Sequence, residues 1–238
     1  ATASSVSTNP GASVASFSWS HTGSASAKFA VVFVLTDNAT DVISSVTYGG
    51  VTMTAVPGGY AVDTANETGN CKAYYLFIPG TNKTGTQTVV VNCTNDTSEK
   101  WAVAQTFLGS ATKVLAPGTA IIVENDAAYA EQTPTDGSPG SNSLRTAGGY
   151  YGGASPAPAG ANSTIDFTLD SGNYGYSVCH ETTAGQGARS VGFTQATSDD
   201  QASVHFAVAE LYGYTSLALS DTITTASDSL LRTPVKRV

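Results

Sequence analysis

The side chains best suited to move a proton near neutral pH are three histidines, His21, His180 and His205, each in a different sequence context. His180 opens the run His180-Glu181-Thr182-Thr183-Ala184, whose first two residues match the start of a zinc-protease helix. The fifth place holds Ala184 where a second metal-binding histidine belongs, and the run sits in a strand-like stretch, so zinc chemistry is not expected. Neither a Gly-x-Ser-x-Gly nucleophile elbow nor a Gly-x-x-x-x-Gly-Lys phosphate loop occurs. Glycoside hydrolysis needs two carboxylates facing each other across a cleft, and here only Asp199 and Asp200 are adjacent, the other acids being scattered. The expectation is a protein without catalytic function and without a cofactor or metal.

Oxygen-rich clusters at Asp37-Asn38-Ala39-Thr40-Asp41 and Asp136-Gly137-Ser138 are of the kind that bind calcium in loops, but their spacing matches no EF-hand. Asp and Asn side chains capping their own backbone explain both more simply. Cys71, Cys93 and Cys179 are odd in number and lack Cys-x-x-Cys spacing. Cys71 and Cys93 lie about equally far from the turn Pro79-Gly80-Thr81-Asn82, so a hairpin there would set them opposite one another as a cross-strand disulfide. Buried free thiols acting as small hydrophobes are the plainer reading. Six of the eleven asparagines head Asn-x-Ser/Thr sequons, namely Asn38, Asn66, Asn82, Asn92, Asn95 and Asn162. Asn38, Asn66, Asn82 and Asn162 fall in loops and would be the acceptors wherever N-glycosylation operates. Tyr150, Tyr151, Tyr174 and Tyr176 flank a Pro/Ala loop, where tyrosines either stack on sugar rings or serve as half-buried framework, the second being favoured.

The elements that would position these groups are strands. Alternation with a period of two, rich in Val, Thr, Tyr and Phe and cut by Gly, Pro, Asn and Asp, predicts thirteen of them. They are 13–20, 29–35, 44–48, 51–56, 72–78, 86–92, 101–107, 120–124, 143–150, 164–169, 174–180, 191–195 and 203–211. Tyr48-Gly49-Gly50-Val51 reads as a tight hairpin, since paired glycines accept the positive φ that such a turn demands. Residues 57–70, 131–141 and 152–162 read as long loops. The fold class expected is all-β, an antiparallel two-sheet sandwich or jelly roll spanning residues 1–212. Residues 213–238 read as an extended C-terminal arm, in which Ser220-Asp221-Thr222-Ile223 returns as Ser227-Asp228-Ser229-Leu230.

Charge is spread unevenly along the chain. Charged residues make up only 12% of the 238, about half the usual share, and ten Lys and Arg against eighteen Asp and Glu leave a net charge of −8. A nucleic-acid backbone would be repelled. The longest apolar run, Phe29 to Leu35, is far shorter than the ~20 residues that cross a bilayer. The chain begins at Ala1 with no charged-then-apolar segment, which fits either a removed leader or none. Arg232, Lys236 and Arg237 follow the last acid, Asp228, so the tail end carries about +3 and leaves about −11 on the rest. Either the tail docks on an acidic neighbour, a second copy being the obvious one, or it is a solvated terminus.

Three segments carry a family resemblance: Val46-Thr-Tyr-Gly-Gly-Val-Thr-Met-Thr-Ala-Val56, Tyr74-Tyr-Leu-Phe-Ile-Pro-Gly-Thr-Asn-Lys-Thr-Gly-Thr-Gln-Thr-Val-Val-Val91 and Trp101-Ala-Val-Ala-Gln-Thr-Phe-Leu-Gly109. Together they resemble the β-sandwich domain of tailed-phage and prophage virion structural proteins, and Tyr174 to His205 is similar to the second half of such proteins. The resemblance covers roughly residues 25 to 230 and implies a head decoration, fibre or tail protein that works by assembly. Its expected partners are other copies of the chain, as a trimer or higher, and a major capsid or tail protein. Its expected place is the virion surface. Assembly would run through sheet edges and through Leu217, Leu219, Ile223, Leu230, Arg232, Val235, Lys236 and Arg237 of the arm. The rival classes are a secreted or surface carbohydrate-binding module gripping glycans with the four tyrosines, and an extracellular filament subunit joined by strand donation.

Overall fold

In a computed structural model, the structure describes residues 2–7, 13–65, 68–79, 81–96, 98–109, 114–124, 127–128, 131–135, 143–152, 162–170, 174–182, 188–193 and 198–211. These form antiparallel strands and no helix, so the expected all-β class is observed. The first half contributes β1 (Thr2–Ser7), β2 (Val14–Thr22), β3 (Ala27–Thr36), β4 (Ile43–Tyr48), β5 (Val51–Thr52), β6 (Thr54–Asp63), β7 (Gly69–Phe77), β8 (Thr86–Asp96) and β9 (Lys100–Leu108). The second half contributes β10 (Val114–Pro117), β11 (Ile121–Glu124), β12 (Ala127–Ala128), β13 (Ser143–Gly152), β14 (Ser163–Asp170), β15 (Tyr174–Glu181), β16 (Ser198–Asp199) and β17 (Gln201–Leu211).

The two-sheet expectation describes the first half alone. A central sheet in the order β1-β9-β3-β7-β6 packs against a small outer sheet, β2-β8-β4-β5. The second half adds a large outer sheet, β10-β17-β13-β15-β14 with β11 also on β17, against the other face of the central one. The short pair β12-β16 stands apart. The result is a three-layer stack.

Strand β3 shows why the layers order this way. Its sequence Ala-Lys-Phe-Ala-Val-Val-Phe-Val-Leu-Thr is almost continuously apolar, and every residue but Lys28 is buried. A strand covered on both faces carries no polar alternation. Phe29, Val31, Phe33 and Leu35 face the large outer sheet, and Ala30, Val32 and Val34 face the small one. Strands β2 and β4 lie in an outer layer and alternate, with Ser16, Ser18, Ser20 and Thr22 exposed and Phe17, Trp19 and His21 turned inward.

The expected glycine hairpin is present, with Tyr48 opposite Val51 and φ of 57° and 80° at Gly49 and Gly50. Three expectations need correction. Residues 57–63 are not loop but the second part of β6, which bulges between Ala55 and Tyr60 around Pro57 before rejoining β7. Residues 191–193 form no strand; Val191 makes one isolated bridge to Gln132. Strands β7 and β8 do not pair as a hairpin, because the chain leaves the central sheet after Ile78 and enters the small outer one at Thr86. The arm, 213–238, lies outside the described residues.

Candidate functional site

That crossing between layers decides the cysteines. Cys71 on β7 turns toward the large outer sheet, where its thiol donates to Gly148 O at 3.2 Å, whereas Cys93 on β8 donates to Val14 O at 3.1 Å. The pair belongs to different sheets, so the disulfide reading fails and all three thiols are free and buried. Burial pushes the Cys71 and Cys179 thiols well above their ordinary range, which keeps them protonated and unreactive.

The histidines are enclosed in three separate places. His21 Nε2 lies 3.3 Å from Thr106 Oγ1 at the edge of the layer beneath β2, and burial lowers its pKa. His205 on β17 is buried on the far face of the large outer sheet, and burial brings its pKa down to about 4. Its Nδ1 is 3.2 Å from Val191 O, an atom that can only accept, so the single proton of the neutral ring sits on Nδ1. Nε2 is then the acceptor for the Ser203 hydroxyl at 3.0 Å. A serine donating to imidazole is the geometry of an activated nucleophile, but Ser203 and His205 are each 1% exposed beneath residues 188–193. The arrangement holds that segment down, together with Ser163 Oγ accepting from Gly192 N at 3.0 Å and Ser190 Oγ donating to Glu131 at 2.8 Å.

His180 is the most open of the three. Its Nδ1 is 2.7 Å from Asp166 Oδ2, which also accepts from Gln105 Nε2 at 2.6 Å. Gln105 Oε1 in turn lies 2.6 Å from Thr146 Oγ1, whose proton is shared with Cys179 O at 2.8 Å. Four strands, β9, β13, β14 and β15, thus tie the central and large outer sheets with one chain of side chains. Glu181, next in sequence, points to the opposite face, as strand period demands. There it pairs with Arg145 at 3.4 Å and Arg189 at 2.6 Å. Burial raises the Glu181 carboxyl pKa, and the two arginines oppose that shift. Adjacent residues on opposite faces cannot share one metal or substrate.

The tyrosines are framework. Tyr150, Tyr151 and Tyr176 are wholly buried, and only Tyr174 is half-buried, so the first three have no ring face to offer a glycan. Tyr150 and Tyr176 pack with tilted rings at 5.8 Å between centroids within the layer, and Tyr151 meets Phe193 edge-on at 5.3 Å on the other face. A more open aromatic group that the sequence did not single out surrounds Lys72. Its Nζ pairs with Asp41 and sits 5.7 and 5.5 Å from the ring centroids of Tyr60 and Tyr74. Burial pulls the Lys72 pKa down, but its bonds and charge contacts to Asp41 and Tyr74 outweigh that and raise it.

Residues 37–41 make turns. Asn38 Oδ1 accepts from Thr40 N at 2.7 Å and Asp41 Oδ1 from Ile43 N at 3.1 Å. Asn38 is half-buried; Asn82, with φ 55°, and Asn162 are exposed. Asn66, Asp136 to Ser138 and the arm residues Leu217, Leu219, Ile223, Leu230, Arg232, Val235, Lys236 and Arg237 lie outside the described residues. Among the described residues no helix is long and apolar enough to cross a membrane.

What the described surface does offer is backbone. β2 pairs with β8 on one side, and no described strand pairs with its other side. It is nine residues long and has no charge and no proline. No family model matches the chain, and no curated protein and no solved structure matches it either.

Proposed function

We propose that the chain is a non-enzymatic structural subunit of a virion, a capsid decoration or fibre protein that assembles through its sheet edges and its C-terminal arm. The observation that carries this reading is the long uncharged edge of β2 on a rigid three-layer body, since soluble monomers commonly blunt such edges with charge, proline or bulges. The enclosure of Ser203 and His205, and the use of Gln105, Asp166 and His180 to join layers, fit a scaffold whose polar groups hold it together. The phage-like hairpin segments support the virion setting, its surface location, and a capsid or tail protein as partner. An extracellular filament subunit is the second reading, favoured by the same free edge. Light scattering and electron microscopy of the full chain and of a form lacking residues 213–238 test the assembly reading. The full chain is expected to form trimers or larger assemblies and the shortened form, checked for its strand signal by circular dichroism, to stay monomeric. Equal assembly by both would overturn the role of the arm.

A further inference from the structure

Most other edges of the stack are blunted, and the one that is not, β1, is shorter than β2. β14 has a bulge between Ile165 and Phe167 and carries Asp166 within it. β6 is broken around Pro57, β10 is four residues ending in Pro117, β11 is four residues long, and β5 is two. β1 is six residues long. In β2 the bulge lies at the start, between Val14 and Ser16, and leaves a regular register from Ser16 opposite Asn92 to Thr22 opposite Thr86. Seven residues of straight, uncharged edge are a template for an added strand.

The chain beyond β17 carries a segment suited to that template. From Leu217 to Ile223 it reads Leu-Ala-Leu-Ser-Asp-Thr-Ile, so that Leu217, Leu219 and Ile223 would share one strand face with Asp221 among them, and it contains neither proline nor a basic residue. Its point of departure matters more. β17 belongs to the large outer sheet and lies over β6 and β7, at one lateral side of the stack. β2 belongs to the small outer sheet and lies against β1, at the other side. With sheets about 10 Å apart and strands about 4.8 Å apart, two layers and about four strands separate them, roughly 28 Å on the diagonal. To reach its own β2 the arm would cross that span before making its first ladder hydrogen bond, and ordering each residue costs ~1–2 kcal/mol. A neighbour presenting β2 beside the exit of β17 avoids that cost.

We infer that the outer edge of β2 is the acceptor for residues 217–223 of a second copy, added as a fifth strand of the small outer sheet. This rests on the assembly reading above and names its seam. Donor and acceptor are different surfaces at opposite corners, so the contact is head-to-tail and closes into a ring or runs on as a filament.

The test uses full-length chains. One preparation carries Ser18→Cys, and the other carries Leu217→Cys, Leu219→Cys or Ile223→Cys in turn. The native thiols are buried, so mild oxidation reports on the new ones. Mixed disulfide-linked dimers that form only between the two preparations are expected, with amide exchange along β2 slowed about tenfold or more as concentration rises. Oligomers without this cross-link, in which β2 exchange is unchanged, would overturn the seam while leaving assembly standing. A cross-link within one monomeric chain carrying both cysteines would overturn the exchange between copies. Absence of any oligomer and any cross-link would overturn seam and assembly together.

Discussion

Val32 and Phe33 are neighbours on β3, both fully buried, and they look into different kinds of interface. Val32 faces the small outer sheet, where Ala30, Val34, Ala102 and Ala104 meet Val46, Val89 and Val91. Phe33 faces the large outer sheet, where its ring lies 5.8 Å from that of Phe206 and where Trp101, Phe167 and Tyr176 gather. In the first interface β3 itself contributes only short aliphatic side chains, Ala30, Val32 and Val34, with the rings of Tyr48, Tyr74, Phe17 and Trp19 supplied by other strands. The second is built from rings of defined orientation and is closed at one end by the Gln105, Asp166, His180 and Thr146 chain. One strand therefore carries two packing regimes. Short side chains constrain register weakly, whereas rings and a hydrogen-bonded chain allow one fit.

Truncating the two neighbours gives the sharpest test. Phe33→Ala is expected to cost about 3–5 kcal/mol in denaturant unfolding and Val32→Ala about 2 kcal/mol. Equal losses would erase the distinction. Overpacking is next: a Cβ on Gly148 would lie 2.5 Å from the Phe33 ring, so Gly148→Ala should cost about 1–3 kcal/mol. Phe33→Leu should recover part of that loss in the double variant, and strict additivity would mean that the two do not meet. Gln105→Leu should cost about 1–2 kcal/mol by leaving Asp166 and Thr146 with one partner fewer.

A comparable effect is expected as a pH slope, and it comes from the far face of the large outer sheet. The folded pKa of His205, lowered by burial to about 4, lies below its unfolded value near 6.5. Between those values the unfolded chain takes up a proton that the folded chain refuses, so stability falls as pH drops from about 6.5 toward 4. The slope from this group is at most about 1.4 kcal/mol per pH unit. His205→Gln should flatten it in urea titrations at pH 6.5 and 4.5, and an unchanged slope would place the titration elsewhere.

Much of the small outer sheet was legible in the sequence. Its strands alternate because one face meets water, and Gly49-Gly50 marks its hairpin by the φ that the turn requires. The large outer sheet was legible as strands but not as a separate layer. Residues 57–63 read as loop because Pro57 and two glycines interrupt the pattern, yet the strand resumes past the bulge. The tyrosines at 150, 151 and 176 were placed beside a loop, and nothing local reveals that a second sheet or residues 188–193 cover them.

The sequence by itself determined that this chain is all-β and where most strands begin and end. Those are properties of neighbours along the chain, read from a period of two or from its loss. The tertiary structure alone decided that β7 and β8 part into different layers, that Cys71 and Cys93 never meet, and that Gln105, Asp166 and His180 do. Each depends on which face of which strand lies opposite, and that is set by pairings 61 to 85 residues apart in the cases of Asp166 with Gln105 and Thr106 with His21. The open edge of β2 belongs to the same class, because an edge is defined by the strand that is not beside it.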